Sequence, residues 1–197
     1  MASLFDTLQA GAQRAGVTAR TKKSREWFQD KVKELGNVSR TSLLKDDALD
    51  PVSTEIAGNM YMYFYDPKTK ETLPYYDRFP LVIMVEDAKG GFYGLNLHYL
   101  RPDVRAAFLD ELMKLAPKKA TEKTRLTKMR YSLLKGVQKY KEFKPCFKHY
   151  LTSHIKSKLV RVPMTDWEIA IFLPTEQFKK KGKAAVWAES LKIARKK

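Results

Sequence analysis

The chain has a single cysteine in 197 residues, Cys146, so no internal disulfide framework can be drawn. Its three histidines, His98, His149 and His154, stand at no zinc-like spacing. His149 and His154 are five residues apart, roughly 140° around a helix axis, which does not suit joint chelation of one metal. No apolar run approaches the roughly 20 residues that span a bilayer. The opening MASLFDTLQAGAQRAG lacks a basic stretch followed by an apolar core. The expectation is a metal-free, cofactor-free fold in a reducing compartment, neither exported by a cleaved signal nor membrane-spanning. Also missing are a G-x-S-x-G elbow, a phosphate-binding Walker loop and a paired-carboxylate constellation. Gly90, Gly91 and Gly94 lead into a strand and form no G-x-G-x-x-G, so turn and bulge roles are expected of them. None of these absences leaves room for a marked enzyme class, and a non-enzymatic protein is expected.

Acidic residues are scarce too: 22 against 38 lysines and arginines, for a net charge of +16. The excess is local. Residues 1–50 carry 9 basic and 7 acidic side chains (+2), residues 51–113 carry 6 and 9 (−3), and residues 114–197 carry 23 and 6 (+17). Such an imbalance favours a polyanion, nucleic acid or an acidic protein surface, through long-range attraction and counterion release. Lysine outnumbers arginine in this half, which suits diffuse phosphate contact better than bidentate base reading.

Hydrophobic patterning predicts an α+β fold with a small antiparallel sheet, packed by basic helices. Residues 1–57 read as a helical and extended basic arm, partly mobile, with Ser3 and Ser24 as helix caps. Residues 58–197 read as the core domain: sheet over 58–100, helices over 102–157, strands over 158–173 and a C-terminal helix over 183–195. Within the sheet, strands are expected at 60–65, 79–85 and 92–100. FPLVIMV is apolar on both faces, as a central strand requires. The third helix of the 102–157 section is CFKHYLTSHIKS, and MTDWEIAIFLP reads as a helical turn leading into a strand.

Alternation along MYMYFYDP puts Tyr61, Tyr63 and Tyr65 on one strand face. Two readings stand. Rings on an exposed strand stack on bases, while rings on a covered one pack against helices or another subunit. The stripe lies in the acidic section, which favours packing, so Tyr61, Tyr63, Tyr65 and Trp187 are expected at a core or protein interface. The polyanion surface is expected on Arg125, Lys128, Arg130, Lys135, Lys139 and Lys148, which flank an apolar helical seam.

Three runs, LPYYDRFPLVIMVEDAKGGFYGLNLHYLRP, YSLLKGVQKYKEFKPCFKHYL and WEIAIFLPTEQF, resemble a family of small basic proteins of loosely assigned role from T4-like tailed phages. The resemblance spans about 58–190 and leaves out the first 50 residues. It implies a phage protein of virion or morphogenesis role: a tail, baseplate or neck component, or a protector of DNA ends. Its partners would be phage structural proteins, DNA or both, with no membrane and an oligomeric place in a virion assembly. Its location would be the virion, and the host cytoplasm during assembly. YDPKTKETLPYYDRFPLVIMV is similar in outline to the SH3-like barrel of the MazF/PemK toxins. That likeness implies that the sheet closes as a small antiparallel SH3-like β-barrel, and an alternative RNA-cleaving site with Arg78 as phosphate-stabilising cation and His98 as general base, although Phe79 interrupts the family's Arg-Pro pair.

Overall fold

The computed structural model describes residues 3–114, 121, 124, 136 and 143–195. Helices α1 (Leu4–Arg14), α2 (Lys22–Leu35) and the short α3 (Arg40–Leu43) come first. They lead into strands β1 (Asp50–Val52), β2 (Met60–Met62), β3 (Tyr76–Asp77), β4 (Leu81–Ala88) and β5 (Gly91–Asn96). After α4 (Pro102–Lys114) come β6 (Phe147–Leu151), β7 (Leu159–Val162), α5 (Trp167–Phe172), β8 (Phe178–Lys179) and α6 (Lys183–Arg195).

Six strands form one antiparallel sheet in the order β1-β7-β2-β4-β5-β6, and β3 with β8 forms a separate two-stranded ribbon. β1 and β6 are not paired with each other, so the sheet is open and the α+β expectation holds without the closed barrel. The alternation read from the sequence is realised in β2 and β4. Met60, Met62, Leu81, Ile83 and Val85 enter the main core, while Tyr61, Val82 and Met84 line the opposite face. β4 is central, as its two apolar faces require. Gly91 and Gly94 admit close neighbours: a Cβ on Gly94 would stand 2.3 Å from Val82 Cγ1, and one on Gly91 would meet the Tyr150 carbonyl.

Several expectations are corrected. The 1–57 section is no free arm, since Phe5, Leu8, Ala12, Phe28, Leu43 and Leu49 are buried in the main core. Ser3 does cap α1, accepting from Asp6 N, but the cap of α2 is Thr21, with Ser24 closing a reciprocal capping box from the third helical position. The strand expected at 60–65 stops at Met62, with one further bridge between Tyr65 and Ile155. The strand expected to reach residue 100 ends at Asn96 and gives way to a 3-10 turn, Leu97–Tyr99.

CFKHYLTSHIKS is not a helix. Its core is β6, because Phe147 to Leu151 pair with β5 and Phe147 stacks on Tyr93 at 5.1 Å. WEIAIF is helical throughout rather than a strand, and all six residues of α5 are buried. Nearly all of the helix expected from 121 to 143 lies outside the described residues. The C-terminal helix falls where its apolar spacing puts it.

Candidate nucleic-acid interface

The ribbon joins segments about a hundred residues apart. Tyr76 is in register with Lys179 and Asp77 with Phe178, and Arg78 N donates to Gln177 O at 2.9 Å. A third segment is laced to the first: Lys156 N donates to Phe64 O, Asp66 N to His154 O, and His154 Nδ1 to Asp66 O. Pairing therefore gathers residues 64–78, 152–158 and 177–183 on one side of the molecule. These segments hold nine lysines and arginines against three carboxylates, one of which, Asp77, is buried.

The cations divide by what they touch. Lys180 sits at a positive φ of 70° and donates through Nζ to the carbonyls of Lys70, Glu71 and Leu73 at 2.7–2.9 Å, clamping the loop before β3. Lys70 pairs with Asp66 at 3.0 Å, and Lys181 pairs with Glu189 while standing over the Tyr75 ring. Lys68, Arg78, Lys156, Lys158 and Lys179 are exposed and have no carboxylate partner among the described residues. The Asp66 carboxyl is held below its ordinary pKa by the Lys70 hydrogen bond first, with Arg78 and Lys156 adding to the effect. Backbone pairing brings Arg78 and Lys156, 78 positions apart in sequence, to adjacent residues of one segment: Tyr65 N donates to Arg78 O and Lys156 N to Phe64 O. The chemistry of an exposed lysine-rich surface suits phosphate contact better than base reading.

Beneath the ribbon lies a buried polar network that sets its orientation. Asp77 accepts from Phe79 N and Gln177 N through one oxygen, and from Asn96 Nδ2 and His98 Nδ1 through the other. Burial raises the Asp77 pKa, but the facing His98 and these hydrogen bonds outweigh it and leave it lowered. His98 Nε2 meets the Thr175 hydroxyl at 3.1 Å. Asp, His and Thr stand in the order of a hydrolase relay, yet His98 and Thr175 have no exposed surface, so no substrate reaches the hydroxyl. The expected pairing of Arg78 with His98 is corrected for the same reason: Arg78 faces solvent and His98 is sealed in the core.

Arg105, also fully buried, spends its donors on the carbonyls of Leu100, Ile171 and His98 and on Glu176 Oε1 at 2.5 Å. Burial raises the Glu176 pKa, and Arg105 more than offsets it. Trp187 Nε1 adds a bond to His98 O, tying α6 to the same network.

The tyrosine stripe is covered by the chain itself. Tyr61, Tyr63 and Tyr65 form a second core with Val82, Met84, Phe92, Tyr150 and Leu159, packed edge to face. They expose no ring face to a base or a neighbouring subunit. Trp187 is half-buried in the wall of a groove. Lys148 turns its ammonium over the Tyr99 ring at 4.3 Å, and burial lowers its pKa. Arg125, Lys128, Arg130, Lys135 and Lys139 lie outside the described residues. Apart from Arg78, the ribbon-face cations escaped the sequence reading because β3 and β8, of two residues each, carry no periodic signal. Among the described residues no cluster of three or more His, Cys, Asp or Glu could hold a metal, and no helix is long and apolar enough to cross a membrane.

The profile of the phage T4 terminal DNA protecting protein family matches residues 2–193. The chain belongs to this family. The match takes in the amino-terminal section that the resemblance left out, in keeping with the burial of α1 and α2 in the common core. No curated protein and no solved structure matches the chain. Neither the family match nor the open sheet supports the outline likeness to MazF/PemK toxins.

Proposed function

We propose that this protein binds the ends of linear phage DNA and shields them from degradation, without itself performing covalent chemistry. The observation that carries the reading is the family match over nearly the whole chain. The physical means is the ribbon face, where Lys68, Arg78, Lys156, Lys158 and Lys179 offer sequence-independent phosphate contacts. An end protector must accept whatever sequence the end carries, and lysine-rich contact meets that need. Arg125, Lys128, Arg130, Lys135 and Lys139 belong to the same reading as further cations. The setting is wherever such ends stand exposed, in the virion or in the infected host. A tail, baseplate or neck role has no observation in its favour.

The test is digestion of a linear duplex by a processive exonuclease, with and without the protein. The wild type slows digestion, and the effect weakens as salt rises, with a slope near −0.9 per phosphate contact in log–log form. The triple variant Arg78→Glu, Lys156→Glu, Lys179→Glu stays folded and loses most of the protection. No slowing at low salt, or protection that survives the triple variant unchanged, would sink the reading and its assigned surface respectively.

A further inference from the structure

A DNA end differs from duplex interior in two ways: one base-pair face is unstacked, and a strand terminates. The ribbon cations answer neither, because every stretch of duplex presents phosphates. Recognising an end requires an apolar surface for the free base beside cations for its phosphate.

Such a place adjoins the ribbon. A groove of about 760 Å³ runs between α2, the start of α4, the end of α5 and α6. This is the scale of a small-ligand site. Its apolar walls are Val32, Phe172, Trp187 and Leu191, and Leu191 is one of the few large hydrophobic side chains exposed among the described residues, at 38%. Lys33, Arg101 and Lys183 stand in the lining against Asp103 and Glu176. Glu176 is already neutralised by buried Arg105, and Asp103 pairs with Arg101 through a solvent-exposed contact that a phosphate can replace. Lys183 Nζ stands over the Trp187 ring, 5.7 Å from its centroid, so a cation and an aromatic face border the same space. The groove is continuous with the ribbon: the run Lys179 to Lys183 leaves β8 and enters α6 at its rim.

We infer that this groove receives the terminal nucleotide of a DNA strand, with the base against Trp187 and Leu191 and the phosphate on Lys183 and Arg101. The inference rests on the reading that the protein binds DNA ends, and it assigns discrimination of ends to the groove while general affinity stays with the ribbon. Trp187 is held for this purpose by its bond to His98 O and by Arg105, whose guanidinium carbon lies 5.9 Å from the ring centroid.

The experiment compares two duplexes of one sequence by fluorescence anisotropy, one with free blunt ends and one closed at both ends by hairpin loops. A second readout places 2-aminopurine at the terminal or at an internal position. The wild type prefers the free-ended duplex and changes the fluorescence of the terminal probe alone. Leu191→Glu, at an exposed position that the fold does not need, loses about tenfold of the end preference, the worth of one stacked base. Its affinity for the closed duplex stays near the wild-type value. Trp187→Leu behaves alike. If both variants keep the preference and the terminal probe is silent, the groove serves another occupant, such as an acidic protein segment, and the inference is overturned while end binding stands. If the wild type binds neither duplex, both readings fall.

Discussion

The Tyr63 hydroxyl is buried without a hydrogen-bond partner among the described residues, whereas its neighbours are satisfied: Tyr61 Oη accepts from Ile56 N at 2.7 Å, and Tyr65 Oη accepts from Leu151 N at 3.1 Å. An unpaired buried hydroxyl costs about 1–3 kcal/mol. Tyr63→Phe, which keeps the ring, is therefore expected to raise stability by about 1 kcal/mol in urea denaturation. Tyr61→Phe should lower it by a similar amount by stranding Ile56 N. A second residue-scale prediction concerns Asp166, whose pKa is pushed up to about 6, by burial first and then by Asp6 and Asp46. A carboxyl raised in the folded state destabilises above its folded pKa, and the penalty disappears as pH falls below its unfolded value near 4. Asp166→Asn should thus stabilise by about 1–2 kcal/mol at pH 7, allowing for solvent screening. The gain should vanish by about pH 4 in a pH series of thermal melts. A gain that persists at low pH would deny the electrostatic cause.

At the scale of elements, the Lys180 clamp decides whether the loop between Asp66 and Tyr76 is held. Lys180→Met removes the donor to three carbonyls, which water can then solvate, so the cost is modest, about 1 kcal/mol. The sharper expectation is local: faster amide exchange over residues 68–74, with the main sheet unchanged. Which elements could be read from the sequence follows from where their signals lie. β2 declares itself by alternation and β4 by an apolar run on both faces. β6 misleads because Phe147, Tyr150, Leu151 and Ile155 also fit helical spacing, and only pairing with β5, with Tyr150 against Phe92 at 5.5 Å, decides for a strand. The amphipathic faces of α1 and α2 are visible in the sequence, but their docking beside Phe172 and Trp167 is tertiary information. The ribbon face was hidden more thoroughly. Lys68 and Lys70 lie in the net-acidic section, so counting charge by section averaged them away, and Arg78 enters the sequence reading only as part of an RNA-cleaving site.

At the scale of the whole molecule, one sheet divides two cores, and the polar network of Asp77, His98, Thr175, Arg105 and Glu176 fastens the ribbon to both the sheet and α6. The basic ribbon and the Trp187 groove are thereby set side by side on a rigid frame. In the proposed reading, the ribbon would supply affinity for any duplex and the groove a place for a terminus. The central claim, that this surface shields DNA ends, is tested most directly by the rate at which a processive exonuclease consumes linear DNA bearing the protein. Slowed digestion that is abolished by Arg78→Glu, Lys156→Glu and Lys179→Glu together, with the fold intact, is the predicted result. Digestion at the unprotected rate in the presence of saturating wild-type protein at low salt would contradict it.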